Sequence, residues 1–304
     1  MKNESNFKIF LAATFCHVFW GFSFLASRVA LDTVPVFTLL SHRFLLAFLV
    51  MNLLLFTPLG DLHLKGKRLL PLLILGLAEP VVYFFGEQYG LLHANTIFSG
   101  VMIAMIPIVS TLAAAPILRE KPSAGQLFFS LLSVGGVIGI GLMSKSSGML
   151  DWIGVAGLLV AVLSAVVYTL LSRGISDRFT PFERTYVMMG VGAAVFTVLA
   201  FIGVREDPLA WLRPLGESSY LLSMLFLSLC CSVVSYFLSA YAITHLSVAR
   251  ETVFANLTTA VSVFAGVVFL HEPFSWLGAL FCLLILLGIY GVQRAAPKAE
   301  NETK

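Results

Sequence analysis

Two glutamates and a tyrosine recur at four-residue steps in EPVVYFFGEQYG (79–90): Glu79, Tyr83 and Glu87. On a helix this spacing stacks them on one face. The surrounding run is apolar, and a charged side chain at the centre of a membrane helix costs about 2.5–3.5 kcal/mol on insertion scales. Such residues must face a cavity or a partner. Pro80 removes a backbone donor beside Glu79 and is expected to loosen the helix there. Arg43 lies in another apolar run. A buried guanidinium beside two carboxyls can meet both ends of a zwitterion. A carboxyl taken out of water binds a proton more readily, so Glu79 is also a candidate proton carrier. Arg43 could equally be quenched by Glu79 or Glu87 as a structural ion pair. The spacing alone does not choose between these readings.

These residues need helices to hold them in a bilayer. The 304-residue chain is 59% hydrophobic and 12% charged, with 26 Phe and a mean hydropathy of +0.94. Soluble domains carry about 25% charged residues. A spanning helix needs about 20 mostly apolar residues. Windows of that size predict ten helices, over 7–27, 35–57, 69–91, 95–118, 124–143, 152–172, 181–203, 219–244, 248–270 and 275–294. The first is expected to be retained in the membrane, not cleaved as a signal peptide. Pro35 and Pro181 open helices, and Ser123 and Ser275 are expected N-caps. With the N-terminus inside, 14 of the 19 Lys and Arg fall in cytoplasmic loops or tails, 4 lie outside and Arg43 is within a span. This bias places both termini in the cytoplasm and the chain in the cell (inner or plasma) membrane as a multi-pass protein.

The chain also repeats itself. Shifted by 152 residues, Tyr89 falls on Tyr241, His93 on His245, Glu120 on Glu272, Ser123 on Ser275 and Gly136 on Gly288. Shifted by 145, Ser27-Arg28 falls on Ser172-Arg173 and Asp32 on Asp177. Two units of five helices follow, 8–144 and 151–294, with a polar tail at 295–304. Five is odd, so the second unit enters the membrane inverted, an arrangement that in secondary transporters permits alternating access.

WGFSFLASRVAL (20–31), HRFLLAF (42–48), LREKPS (118–123), FANL (254–257) and LHEPFS (270–275) resemble motifs of the EamA family of the drug/metabolite transporter superfamily. The resemblance covers about residues 8 to 294. It implies ten helices, two EamA repeats, and export or exchange of small metabolites, with amino acids or related amphipathic compounds as the expected class. One departure stands out. The family often places a proline two residues after the Asn-Leu of helix 9, where this chain has Thr259; the repeat partner in helix 4 is Pro107. A kink is expected in helix 4 and doubtful in helix 9.

Depth along each helix, at about 1.5 Å per residue, collects His17, Trp20, Arg43, Glu79 and Tyr83 in one layer just outside the midplane, with Glu87 nearer the surface. Ser228, Ser232, Ser235 and Ser239 form a small polar stripe in helix 8, suited to close packing or to cavity lining. Tyr168, Tyr236 and Tyr241 either line a cavity or anchor at an interface. Asn256 is a lone polar residue in helix 9. The candidate substrate-binding residues are therefore His17, Trp20, Arg43, Glu79, Tyr83, Glu87, Ser235 and Asn256. Glu120 and Glu272 sit at loops, with a structural or gating role favoured over binding.

The expected partners are a small-molecule substrate and the lipid bilayer, with protons as the candidate coupling ion. The oligomeric state is open between monomer and homodimer. Cys16, Cys230, Cys231 and Cys282 lie in apolar stretches without metal-type spacing, and no metal or other cofactor is expected. GxxxxGK[ST] is absent, which argues against direct ATP drive, and no basic stripe suggests nucleic acid. Rival classes are an intramembrane enzyme and a non-transporting scaffold. Ser23 near His17 is a weak hydrolase hint on one helix, and HEPFS lacks the second histidine of a zinc-protease motif.

Overall fold

The computed structural model describes residues 2–106, 108–110, 113, 123–146, 148, 150–245 and 248–295, the backbone alone at 2–7, 144–146, 248–253, 255, 256, 289, 292 and 293. The described residues form helices and no strand. The helices are α1 (Lys2–Leu31), α2 (Val36–Leu54), α3 (Leu70–Leu92), α4 (Thr96–Ile103), α5 (Ala124–Ser146), α6 (Trp152–Gly174), α7 (Pro181–Gly203), α8 (Ser218–His245), α9 (Val248–Phe269) and α10 (Trp276–Arg294). Among the described residues, seven helices are long and apolar enough to cross a membrane, and shorter apolar helices accompany them. Phe15, Leu53, Phe128, Leu163 and Val198 are all at least half exposed. Such an apolar exterior suits hydrocarbon, not water.

Local chemistry explains the helix ends. The Ser123 hydroxyl accepts from Gln126 N while Gln126 Oε1 accepts from Ser123 N, a reciprocal capping box. Ser275 caps α10 through Gly278 N. Pro35 is the N-cap of α2, and Pro181 is the first residue of α7 behind the capping box of Thr180 and Glu183. The Glu183 carboxylate also holds Lys67 Nζ at 2.7 and 2.8 Å and His63 N at 3.0 Å, docking the 55–69 connection onto α7. The role of Glu183 was not evident in the sequence.

Packing follows the repeat. α5 pairs with α10, α2 with α7, α3 with α6, and α1 with α8 and α9. Small residues set the separations. A Cβ at Gly136 would meet the Phe281 carbonyl oxygen at 2.8 Å, and one at its repeat mate Gly288 would meet the Phe129 carbonyl oxygen at 2.7 Å. The repeat-related arginines do the same work in each half. Arg28 Nη1 donates to the Leu91 carbonyl near the end of α3 (3.0 Å), and Arg173 Nη1 to the Ile243 carbonyl near the end of α8 (2.8 Å). Each satisfies a carbonyl that a helix end leaves unpaired.

Two helices change pitch. The α3 backbone widens into a π-type turn at Leu77–Val82, where Glu79 is extended (φ −140°, ψ 117°). A residue before proline is driven out of the α region, as Pro80 led one to expect. α8 widens at Phe226–Val234, which overlaps the 152-residue repeat of the α3 turn, with no proline. Hydroxyls sustain the wide turn there: Ser232 Oγ donates to Leu227 O and Ser235 Oγ to Cys230 O, each five residues back. α4 is interrupted after Ile103, and Met105 N bonds only three residues back to Met102 O. Pro107, where a kink was expected, lies outside the described residues. α9 runs unbroken through Thr259.

Candidate functional site

The pitch change in α3 turns Glu79 into the protein, and the α-helical Tyr83–Leu92 segment carries Tyr83 and Glu87 beside it. Together they line a central cavity of about 100 Å³, walled also by His17, Trp20 and Arg43. Six residues from three helices, expected in neighbouring layers, thus share one space. Glu87 joins it although depth alone set it nearer the surface. The bridge is Tyr83, whose hydroxyl donates to Glu87 Oε1 at 2.9 Å.

Each ionisable group has a neutral hydrogen-bond partner. The Tyr236 hydroxyl donates to Glu79 Oε1. Gln88 Nε2 donates to Glu87 Oε2 at 2.7 Å. Arg43 Nε donates to Ser232 Oγ at 2.8 Å, and its guanidinium lies 4.2 Å from the Phe84 ring centroid, a cation–π stack. Among the described residues Arg43 makes no direct ion pair with either glutamate. Tyrosines and a serine partner the three ionisable groups, and the cavity lies among them. Buried ionisable groups arranged so are expensive unless each is hydrogen-bonded, and here each is.

An aromatic wall faces them. Trp20 packs edge-on against Tyr236 at 5.4 Å and against His17 at 5.3 Å, and Tyr168 meets Tyr236 at 6.2 Å. Trp20 Nε1 donates to the Cys231 carbonyl at 3.1 Å, inside the wide turn of α8. His17 Nδ1 is 3.0 Å from Thr258 Oγ1 on α9. The α3 side of the wall is held by Ser164 of α6, whose hydroxyl donates to Ala78 O at 2.6 Å.

Ser235 does not line the cavity. Its hydroxyl is turned back to Cys230 O, and Tyr236 and Ser239 of the same helix take the wall instead. The side chain of Asn256 lies outside the described residues. Sequence reasoning left Tyr168, Tyr236 and Thr258 out of the candidate set. The tyrosines were legible as cavity or interface residues, but no spacing rule selected Tyr236 as the partner of Glu79. Ser23, the hydrolase hint, donates to the Trp20 carbonyl at 2.7 Å. Glu272 accepts Thr96 N at 2.7 Å and Ile97 N at 3.0 Å, so it caps α4. Its repeat mate Glu120 lies outside the described residues. No cluster of metal-binding side chains occurs among the described residues.

The fold and site together define a multi-pass helical membrane protein with a largely apolar, aromatic-walled chamber at its centre that holds a few buried ionisable groups. The sequence matches the model of the EamA-like transporter family over residues 7–142 and again over 152–294, and the chain belongs to that family. Among its relatives is the transporter YcxC of Bacillus subtilis (strain 168), 30% identical over 96% of this chain and 94% of that one. A protein of Streptantibioticus cattleyicolor named as a probable terminal-alkyne amino-acid exporter is 25% identical over 90% of this chain and 89% of its own length. A solved crystal structure shares the fold with a TM-score of 0.66 at 20% identity, covering 94% of this chain and 96% of that one.

Proposed function

We propose that the chain is a secondary transporter, not an enzyme, that exports or exchanges small organic metabolites of the amino-acid class. It works by alternating access around the central cavity. On this reading the protein spans the cell membrane ten times as two inverted five-helix repeats, with both termini cytoplasmic. The observation that carries the proposal is the cavity itself: one guanidinium, two carboxyls and an aromatic wall around a single space. Arg43 is the group for a substrate carboxylate. Glu79 and Glu87 are the groups for an amine, and the Trp20, Tyr168 and Tyr236 rings receive the side chain. The name of the S. cattleyicolor relative supports the amino-acid class.

The cavity volume of about 100 Å³ is well below the roughly 300–1,000 Å³ of small-molecule sites. This is a contracted state, and loading requires helix movement. The wide turns of α3 and α8 and the interruption of α4 are the places where spans bend most readily. Glu79 is the proposed proton carrier. It sits at the cavity edge on a tyrosine, where a change of ionisation can be exchanged with substrate binding.

Proteoliposome exchange of radiolabelled amino acids, with and without a pH gradient, tests the proposal. Glu79→Gln should abolish the gradient dependence while leaving exchange measurable. Unchanged uptake with unchanged pH dependence would sink the proton assignment. No saturable flux for any amino acid in the wild type would sink the substrate class.

A further inference from the structure

A second pair of spaces lies at one end of the bundle, away from the central cavity. One is a polar pocket of about 520 Å³ where the ends of α1 and α3 meet the start of α6 and the α9–α10 connection; Arg28, Asp32, His93, Asp151 and Glu272 line it. The other is an almost wholly apolar groove of about 350 Å³ between α4, α5 and α6, running from Trp152 and Val155 to Met105, Val109 and Val162. The two share Leu150 and Asp151, so a polar chamber opens beside an oily slot. The outer lip of the slot is exposed: Ile138 is 56%, Leu142 64% and Trp152 72% accessible. In a membrane protein those side chains face hydrocarbon, and Trp152 at a helix start suits the bilayer interface.

We propose that this composite site holds one bilayer phospholipid with an ammonium-bearing, zwitterionic headgroup. An acyl chain fills the α4–α5–α6 groove and the headgroup sits in the polar pocket. Charge decides the headgroup. Three carboxylates line the pocket with one arginine and one histidine, and four of these five groups have fixed contacts. Glu272 caps α4. Asp151 caps α6 and bonds His93 Nδ1 at 2.7 Å. Arg28 uses Nη1 on the Leu91 carbonyl, leaving its Nη2 edge for a phosphate. Asp32, exposed one turn beyond Arg28, is placed for the ammonium. An anionic headgroup without an amine meets a surplus of negative charge. The end of α4 and the residues that follow it are the partition between this groove and the central cavity: Met102, Met105 and Val109 line the groove, while Ile103, Ile106 and Ser110 line the cavity. A chain in the groove therefore props the helix that walls the transport site. This inference rests on the protein's place in the bilayer, not on which solute it carries.

Native mass spectrometry of detergent-solubilised protein tests it, with phosphatidylethanolamine and phosphatidylglycerol offered in equal amounts. The wild type should retain one phosphatidylethanolamine per chain in preference to phosphatidylglycerol. Val155→Trp puts an indole into the space the acyl chain would occupy, and retention should fall to a small fraction of the wild type's. Asp32→Asn should erase the preference between the two lipids while keeping retention. Val198→Trp, on an exposed face of α7, controls for a misfolded tryptophan variant and should retain lipid as the wild type does. Equal retention of both lipids by the wild type, or equal retention by Val155→Trp and Val198→Trp, overturns the proposal.

Discussion

Replacing Arg43 by methionine separates a substrate-binding guanidinium from a packing one. Arg43 is 1% accessible, donates once to Ser232 and stacks on Phe84. Neither contact involves solute, so the comparison of an amino acid with its amine in one variant cancels their loss. Ser232 keeps its own bond to Leu227 O at 2.9 Å, so the substitution orphans no hydroxyl there. Methionine fills much of the same volume without charge. What is lost is the partner of a buried substrate carboxylate. Truncating one side of such a pair costs about 2–5 kcal/mol, or roughly 30-fold to several-thousand-fold in Kd. Arg43→Lys keeps the charge but loses the planar fork. At about 1–2 kcal/mol, its binding should weaken roughly 5- to 30-fold. The assay is solute-induced thermal protection and counterflow with a panel of amino acids, each paired with its decarboxylated amine. Arg43→Met should weaken each amino acid far more than its amine. If it weakens both equally, Arg43 shapes the cavity and binds no carboxylate, and the zwitterion argument fails.

Other expectations follow from single contacts. Glu272→Ala removes two charged acceptors from the start of α4. Each is worth about 1.5–3 kcal/mol when dry, less here because the carboxylate is partly exposed, so stability against denaturing detergent should fall by about 1–3 kcal/mol, while Glu206→Ala should leave it unchanged. A Cβ at Gly157 would lie 2.7 Å from the Gly86 carbonyl oxygen and 2.9 Å from Gly90 N; Gly157→Val should therefore destabilise by about 1–3 kcal/mol or more and disturb transport by moving α3, which flux and melting measurements on one preparation will check. Asp151 is held below its ordinary value of 3.8, first by its bond from Gly154 N and also by His93. A carboxylate depressed by folding stabilises above its unfolded pKa and loses that contribution as pH falls through the folded one. Asp151→Asn should thus lower the melting temperature near neutrality and flatten its acid dependence, and an unchanged acid limb would count against the assignment.

The sequence made the scaffold more legible than the contacts. Twenty-residue apolar windows, Ser275, Ser123 and the Ser-Arg repeat are local signals, and each marks a helix or a helix end. Placing Glu79, Arg43 and Trp20 at similar depth also needed only a rise per residue. Rotation about each axis is different. It depends on which neighbours a helix meets, and a wide turn shifts it. Six phased residues line the cavity, yet Ser235 of the helix-8 stripe is turned away, because the wide turn gives its hydroxyl a carbonyl five residues back. The Tyr236–Glu79 contact joins residues 157 apart in the chain, and no periodicity reaches that far. Arg43 was weighed against two carboxylates; the structure gives it a serine and a phenyl ring instead.

The two halves copy their mechanics and differ in their chemistry. Arg28 and Arg173 cap corresponding helix ends, Gly136 and Gly288 set corresponding contacts, and the wide turns of α3 and α8 fall at overlapping repeat positions. Yet the positions of Glu79, Tyr83 and Glu87 become Cys231, Ser235 and Ser239 in the second half. A symmetric copy of the acids would gather four carboxyls around one space, and like charges at short range in low dielectric repel strongly. The second half instead supplies a carbonyl for Trp20 at Cys231, a hydroxyl for Arg43 at Ser232 and the phenol of Tyr236 for Glu79. One repeat thus carries the ionisable groups, and α8 of the other supplies neutral groups that hold them. The α3 turn borders the cavity at Glu79, and α8 reaches it at Tyr236, just beyond its own wide turn. A solute that draws Glu79 away from Tyr236 would therefore break a direct link between α3 and α8.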